Sequence, residues 1–220
     1  MAGTGERLRP NNVICLARTY RRHAEELGNV VPQEPVIFLK PNSSLIPDGA
    51  DIVIPPVSRE VHHEVELAVI IGRGGRSIPA DRAMDHVLGY AVMLDITARD
   101  IQSDLKERRL PWTYAKGWDT FAPVSSVVRQ DRVPDPHDLT VRLWVNGEMR
   151  QDSSTCYLLF TIAQIIGYVS GFMTLQRGDI IATGTPEGVG PLVPGDEVLA
   201  EIERVGTLRN RVVAAPERTG

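Results

Sequence analysis

Cysteine is nearly absent from this chain of 220 residues. Cys15 and Cys156 make neither a disulfide framework nor a metal-binding spacing, and each reads as a small buried hydrophobe rather than a nucleophile. No apolar run approaches the length of a membrane span, which excludes a helix-spanning membrane protein. There is no block of like charge either. With 24 Lys and Arg against 28 Asp and Glu, the net charge of −4 argues against a nucleic-acid partner. Residues 1–10 lack an apolar core and the basic or serine content of a targeting segment, so the cytoplasm is the expected location. Internal repeats and low-complexity tracts are missing as well. The stretch TGTPEGVG at 183–190 has neither the lysine nor the spacing of a nucleotide-binding loop.

What is present is an ordinary globular composition, 42% hydrophobic and 24% charged, on a chain long enough for one domain with a full core. Residues 1–11 are expected to be a flexible terminus and 12–220 a single domain. Short apolar runs predict strands over 12–16, 35–39, 52–54 and 64–71, and another through 90–96. A polar helix is expected over 19–27, ended by Gly28 and Asn29, and a short helix over 81–87. Thr97 followed by Asp100 resembles a capping box, opening a helix that Pro111 stops. Residues 139–145 lead into the hairpin signal Asn146-Gly147. Over 153–169, Leu158, Ile162, Ile165 and Val169 fall near helical spacing, with Gly171 as terminator. Gly178-Asp179 and Gly195-Asp196 each introduce a further strand. Strands joined by turns as often as by helices imply an α+β protein with a mostly antiparallel, curled sheet.

Three carboxylates interrupt the apolar runs. Glu64 and Glu66 stand in HHEVELAVII at 62–71, and Asp95 in YAVMLDI at 90–96. Side chains alternate along a strand, so Glu64 and Glu66 point the same way. They could face solvent from an edge strand, but Asp95 has apolar neighbours on both sides and little reason for exposure. Three converging hard oxygen donors without sulfur ask for a divalent cation of the magnesium or manganese kind. A histidine-rich iron or zinc site fits less well. His62 and His63 are adjacent and point to opposite faces, and His23, His86 and His137 have no helpful spacing.

Other residues read two ways. Arg99 and Gln102 fall in the first turn after Asp95, where free amides and a guanidinium suit an anion, or where an ordinary surface helix begins. Lys116, among aromatic and small residues, suits burial beside an anion or a snorkelling role, and Lys40 shares the ambiguity. His23 and Glu26 share a helix face, the arrangement of an oriented general base or of a salt-bridged surface helix. Thr185 lies in a loop that either presents amides and its hydroxyl to an anion or simply joins two strands.

Taken in order, PVIFLKP, HHEVELAVIIG, LDITARDIQ, LPWTYAKGWDTFAPV, VNGEMRQ and GDIIATGTPEGVGP resemble the fumarylacetoacetate hydrolase family, in its small single-domain acylpyruvase and oxaloacetate decarboxylase branch. The resemblance implies a curled mixed β-roll, a homodimer, and Mg²⁺ or Mn²⁺ held by Glu64, Glu66 and Asp95. It implies that Arg18, Arg99, Gln102 and Thr185 hold the substrate's anionic end and that Lys116 stabilises developing charge. His23 and Glu26 match a dyad carried by a lid over 17–29. The activity it implies is hydrolysis of the carbon–carbon bond of acylpyruvates such as fumarylpyruvate or acetylpyruvate. Oxaloacetate decarboxylation, or isomerisation of a diene diacid of aromatic catabolism such as 2-hydroxyhepta-2,4-diene-1,7-dioate, is the alternative. A metal-stabilised binding module is the non-catalytic one. One departure is visible: Ala17-Arg18-Thr19-Tyr20 stands where the family commonly reads Gly-Arg-Asn-Tyr.

Overall fold

Alternating and fully apolar short runs, separated by Gly, Pro and Asn turns, dictate many short strands, and the computed structural model contains them. It describes residues 10–28 and 30–216. The expected flexible terminus falls almost wholly outside the described residues, as does Asn29. The chain runs β1 (Val13–Ala17), α1 (Arg21–Glu26), β2 (Val36–Lys40), β3 (Leu45–Pro47), β4 (Asp51–Ile54), β5 (Val61–His63), β6 (Val65–Ile71), β7 (Val87–Leu94) and β8 (Thr97–Ala98). It continues through α2 (Arg99–Glu107), α3 (Thr113–Lys116), β9 (Ala122–Val124), β10 (Val128–Arg129), β11 (Thr140–Val145), β12 (Glu148–Ser154) and α4 (Ile162–Phe172). The strands β13 (Ile180–Ala182), β14 (Gly190–Leu192), β15 (Glu197–Ile202) and β16 (Gly206–Ala214) complete it.

One sheet has the order β2-β1-β13-β6-β7-β9-β3, with β10 also on β7; a second runs β12-β11-β15-β16-β4; a third, small one joins β14, β5 and β8. The pairs β1/β13, β16/β4 and β3/β9 are parallel and the other pairings antiparallel, a mixed and mostly antiparallel curled arrangement as expected. The main core lies between the two larger sheets, where Leu67, Val69, Tyr90 and Val92 meet Val141, Leu143, Val198 and Leu208, with Ile162, Ile165 and Val169 of α4. The other face of the first sheet carries Cys15, Ala68, Ile70, Ala91 and Met93, all buried. Burial of Cys15 agrees with its reading as a small hydrophobe, whereas Cys156 is exposed.

The edge-strand reading of Glu64 and Glu66 is overturned, because β6 is central in its sheet and all seven of its residues are buried. Thr97 is not a helix cap: Ala98 holds that position, and the Thr97 hydroxyl donates to the Asp95 carbonyl at 3.0 Å. Asp100 turns away to accept from Ser58 Oγ and Arg59 N instead. α2 ends at Glu107, well before Pro111. The helix expected over 153–169 starts later, at Ile162, behind a capping box of Thr161 and Gln164, and passes through Gly171. β12 claims the first residues of that stretch. The helix expected over 81–87 is a 3₁₀ turn, Ala80–His86. The proposed lid span over 17–29 comprises the end of β1, a turn and the short α1. Among the described residues, no helix is long and apolar enough to cross a membrane.

Candidate metal centre and active site

Glu64 occupies the break between β5 and β6, and Asp95 directly follows β7. Pairing of Val65 with Leu94 brings the two together, and Asp95 N donates to the Glu64 carbonyl at 2.9 Å. Glu66, two residues further along, shares the face of Glu64. One oxygen from each of Glu64, Glu66 and Asp95 lies within 4.8 Å of the others, and all three side chains are buried.

Like charges this close need cations. Lys116 Nζ donates to Glu64 Oε2 at 2.8 Å and to Asp95 Oδ2 at 2.6 Å. Arg99 donates to Glu64 Oε1, and Lys40 Nζ sits 2.8 Å from Asp95 Oδ1 while donating to the Ile96 carbonyl at 2.9 Å. Burial pushes the Glu64 carboxyl upward, but Lys116 and Arg99 outweigh it and hold the group well below the usual carboxylate range. Glu66 lacks such a partner. Burial, then Asp95 and Glu64, raise its carboxyl well above that range, although Gly184 N donates to it at 2.8 Å. Lys116 is lowered by burial and raised by more through Asp95 and Glu64, so it stays charged.

The cleft above the triad is lined by Arg18, His23, Arg99, Gln102, Lys116 and Thr185 among others. His23 Nδ1 is 3.2 Å from Glu26 Oε2, and Glu26 Oε1 accepts from Gly188 N at 3.0 Å. Burial raises the Glu26 carboxyl, but His23 and the Gly188 amide bring it below its ordinary value. Gln102 Oε1 accepts from Arg99 at 2.6 Å, which fixes the amide and leaves its NH₂ free to donate. Thr185 Oγ1 accepts from Gln151 Nε2 at 2.9 Å, so its hydroxyl hydrogen is likewise free. All ten residues expected from the sequence therefore meet here, Glu26 through His23.

A cleft of this make-up, on this sheet, has relatives. The family model for the fumarylacetoacetate hydrolase C-terminal domain matches residues 12–213. The chain belongs to that family. It is 47% identical over 201 residues to the mitochondrial oxaloacetate tautomerase of Mus musculus, covering 91% of both chains. It is 51% identical over 190 residues to the corresponding Arabidopsis thaliana protein, covering 86% of this chain and 85% of that one. The crystal structure of fumarylpyruvate hydrolase from Pseudomonas aeruginosa, in complex with Mn²⁺ and pyruvate, superposes with a TM-score of 0.93. It is 36% identical, over 98% of this chain and 94% of that one.

The donor set of this family member fits a divalent cation on its own chemistry. Three hard oxygens converge, Glu66 is short of positive charge, and Asp95 Oδ1 has no directed hydrogen bond despite its nearby lysine. His62 accepts from Arg99 Nε at 3.3 Å and contacts Glu60 at 2.8 Å, so it orients a neighbour of the triad rather than joining it.

Gln151 carries more of the site than its sequence context suggests. Its Oε1 accepts from Val65 N at 3.2 Å and from the His63 ring at 3.1 Å, while Nε2 reaches Thr185 and the Pro186 carbonyl at 3.0 Å. Burial presses His63 down to about 4, so that ring is neutral at physiological pH. A bulge between β11 and β12 leaves Arg150 unpaired and turns Gln151 inward from an otherwise exposed strand.

Proposed function

We propose that the protein is a metal-dependent enzyme that converts short 2-oxo acids by way of their enolates, with Glu64, Glu66 and Asp95 holding Mg²⁺ or Mn²⁺. The observation that carries this reading is the buried carboxylate triad facing the His23–Glu26 dyad across one small cleft. When bound, the cation supplies Lewis-acid polarisation of the 2-oxo group. Gln102 and Thr185, each with a donor left free, take the substrate's carboxylate together with Arg99. Lys116 adds positive charge where the enolate oxygen develops.

On an acylpyruvate, His23 takes a proton from water, and the hydroxide attacks the 4-oxo carbon. The C3–C4 bond breaks with its electron pair moving to C3, giving a carboxylic acid and the pyruvate enolate. Protonation at C3 completes pyruvate. Glu26, kept ionised by His23 and Gly188, stabilises the imidazolium in between. A second reading, keto–enol tautomerisation of oxaloacetate, is favoured by the names of the mouse and Arabidopsis relatives. It needs only a proton moved between C3 and the 2-oxo oxygen, with the same dyad as base. In both readings α1 acts as a lid and the enzyme works as a homodimer.

The test follows the ultraviolet absorbance of fumarylpyruvate, acetylpyruvate and enolic oxaloacetate with Mg²⁺ or Mn²⁺, against an EDTA control. His23→Ala is expected to lower acylpyruvate hydrolysis by about 10²–10⁴-fold, the usual worth of a general base. Decarboxylation of oxaloacetate needs no water nucleophile and should fall by far less. Equal losses in hydrolysis and decarboxylation would remove His23 from the role of base for water, and metal-independent turnover would remove the triad from the reaction.

A further inference from the structure

Thr19, which stands where the family commonly has asparagine, is fully buried in the turn between β1 and α1. Its hydroxyl donates to the Thr183 carbonyl at 2.6 Å. The N–H at the other end of that same peptide unit belongs to Gly184 and donates to Glu66 Oε2 at 2.8 Å. The hydroxyl, the 183–184 peptide and the Glu66 carboxylate thus form one chain of hydrogen bonds, in which each bond polarises the next. Glu66 depends on that donor more than its neighbours do on any single one, because the ion pairs of the triad go to Glu64 and Asp95. The geometry leaves little play. Gly184 has φ 93°, and a Cβ on it would lie 1.8 Å from Thr19 Oγ1, so the close approach of the threonine requires glycine there. Thr183 is tied to β6, its N–H and its hydroxyl donating to the Leu67 carbonyl at 3.0 and 2.9 Å. Rotation of the 183–184 peptide plane is the freedom that the Thr19 hydroxyl removes. Thr19 is itself held from behind, since Leu159 N donates to its carbonyl at 2.8 Å and Tyr20 bridges to Leu158.

We propose that Thr19 is a positioning residue for Glu66: through the 183–184 peptide it fixes that carboxylate and so sets how tightly the triad takes a divalent cation. The inference rests on the proposed function only in reading the triad as a cation site. Groups that orient a metal ligand from behind govern affinity nearly as much as the ligand itself. The helix α1 starts two residues after Thr19 and carries His23 and Glu26. One turn therefore joins the helix of the base dyad to a ligand of the cation, and it does so with a hydroxyl.

The experiment takes two readouts on the full chain, well below its Tm. Electron paramagnetic resonance of free Mn²⁺ gives Kd, and the Gly184 amide resonance is followed in ¹⁵N-labelled protein in EDTA. Thr19→Val keeps the side-chain shape and removes the hydroxyl, whereas Thr19→Ser keeps the hydroxyl. Thr19→Val is expected to weaken Mn²⁺ binding at least about fivefold, short of the roughly 10–100-fold that loss of a direct partner of a ligand brings, because Thr19 acts one peptide away. It is also expected to move the Gly184 amide proton upfield as the bond to Glu66 loosens. Thr19→Ser should hold Kd within about twofold of wild type. A threonine that merely stabilised the fold would lower Tm on substitution and move neither readout. If Thr19→Val does not fold, Thr19→Ala takes its place. Where wild type binds Mn²⁺, the proposal is overturned if Thr19→Val keeps the wild-type Kd or leaves Gly184 unmoved. It is equally overturned if Thr19→Ser weakens binding as much as Thr19→Val, which would trace the effect to packing. If wild type binds no Mn²⁺, the cation site falls. An upfield shift of Gly184 in Thr19→Val would then still establish the link to Glu66, and an unmoved resonance would remove that as well.

Discussion

Replacing Gln151 by leucine removes a side chain that makes four hydrogen bonds of 3.2 Å or less, and the cost falls on three of the partners. Thr185 can rotate its hydroxyl toward the cleft, but the His63 ring gains nothing by changing tautomer, since its Nε2 is buried without an acceptor and the N–H would be unsatisfied on either nitrogen. Val65 N–H and the Pro186 carbonyl have no freedom to turn elsewhere: both residues are buried and both lose their hydrogen bond. A buried polar group left unsatisfied costs about 1–3 kcal/mol, so three of them should destabilise Gln151→Leu by about 3–9 kcal/mol. For a domain of this size, each kcal/mol moves Tm by about 2–4 °C, and the low end of about 3 kcal/mol predicts a fall of about 6–12 °C. Thermal unfolding in EDTA reads that term without a metal contribution. The same residue pins the backbone at Glu64 and orients Thr185, so folded Gln151→Leu protein should also bind Mg²⁺ and pyruvate more weakly. A Tm within 2 °C of wild type would mean that the four contacts have ready substitutes, and the account of Gln151 as the pin of this site would be wrong.

One other outcome follows from the charges. Adding Mg²⁺ or Mn²⁺ at about 100 times Kd should stabilise the protein by about 2.7 kcal/mol, raising Tm by about 5–11 °C, and Glu66→Ala should abolish most of that rise. An unchanged melting curve with either metal would refute the triad as a cation site.

The sequence exposed the triad because its residues break a local rule, and a charge inside an apolar run is visible without knowing what surrounds it. Strands such as β6 and β7 were legible for the same reason, since period two and unbroken apolarity are properties of a single segment. Glu66 and Ala68 share a face of β6, and only the position of that strand in the middle of the sheet decides that this face is buried. Strand order is set by pairings such as that of β6 with β13, more than a hundred residues apart, which no local pattern records. The capping signals erred in the same way. Thr97 and Asp100 have the spacing of a box, but Ser58 and Arg59, about forty residues away, compete for the Asp100 carboxylate and win it. Thr161 and Gln164 have the same type of spacing and do form a box. Gln151 was hidden most completely, because EMRQDSS alternates poorly and reads as a solvated edge strand. What turns its side chain inward is one unpaired residue, Arg150, in a bulge against β11. Shifting the alternation by one residue moves every following side chain to the other face, so a single bulge decides whether a glutamine meets water or the Thr185 loop. The site thus divides by the range of its determinants. Its charges are written locally, whereas the groups that hold those charges in place depend on strand order and on one bulge.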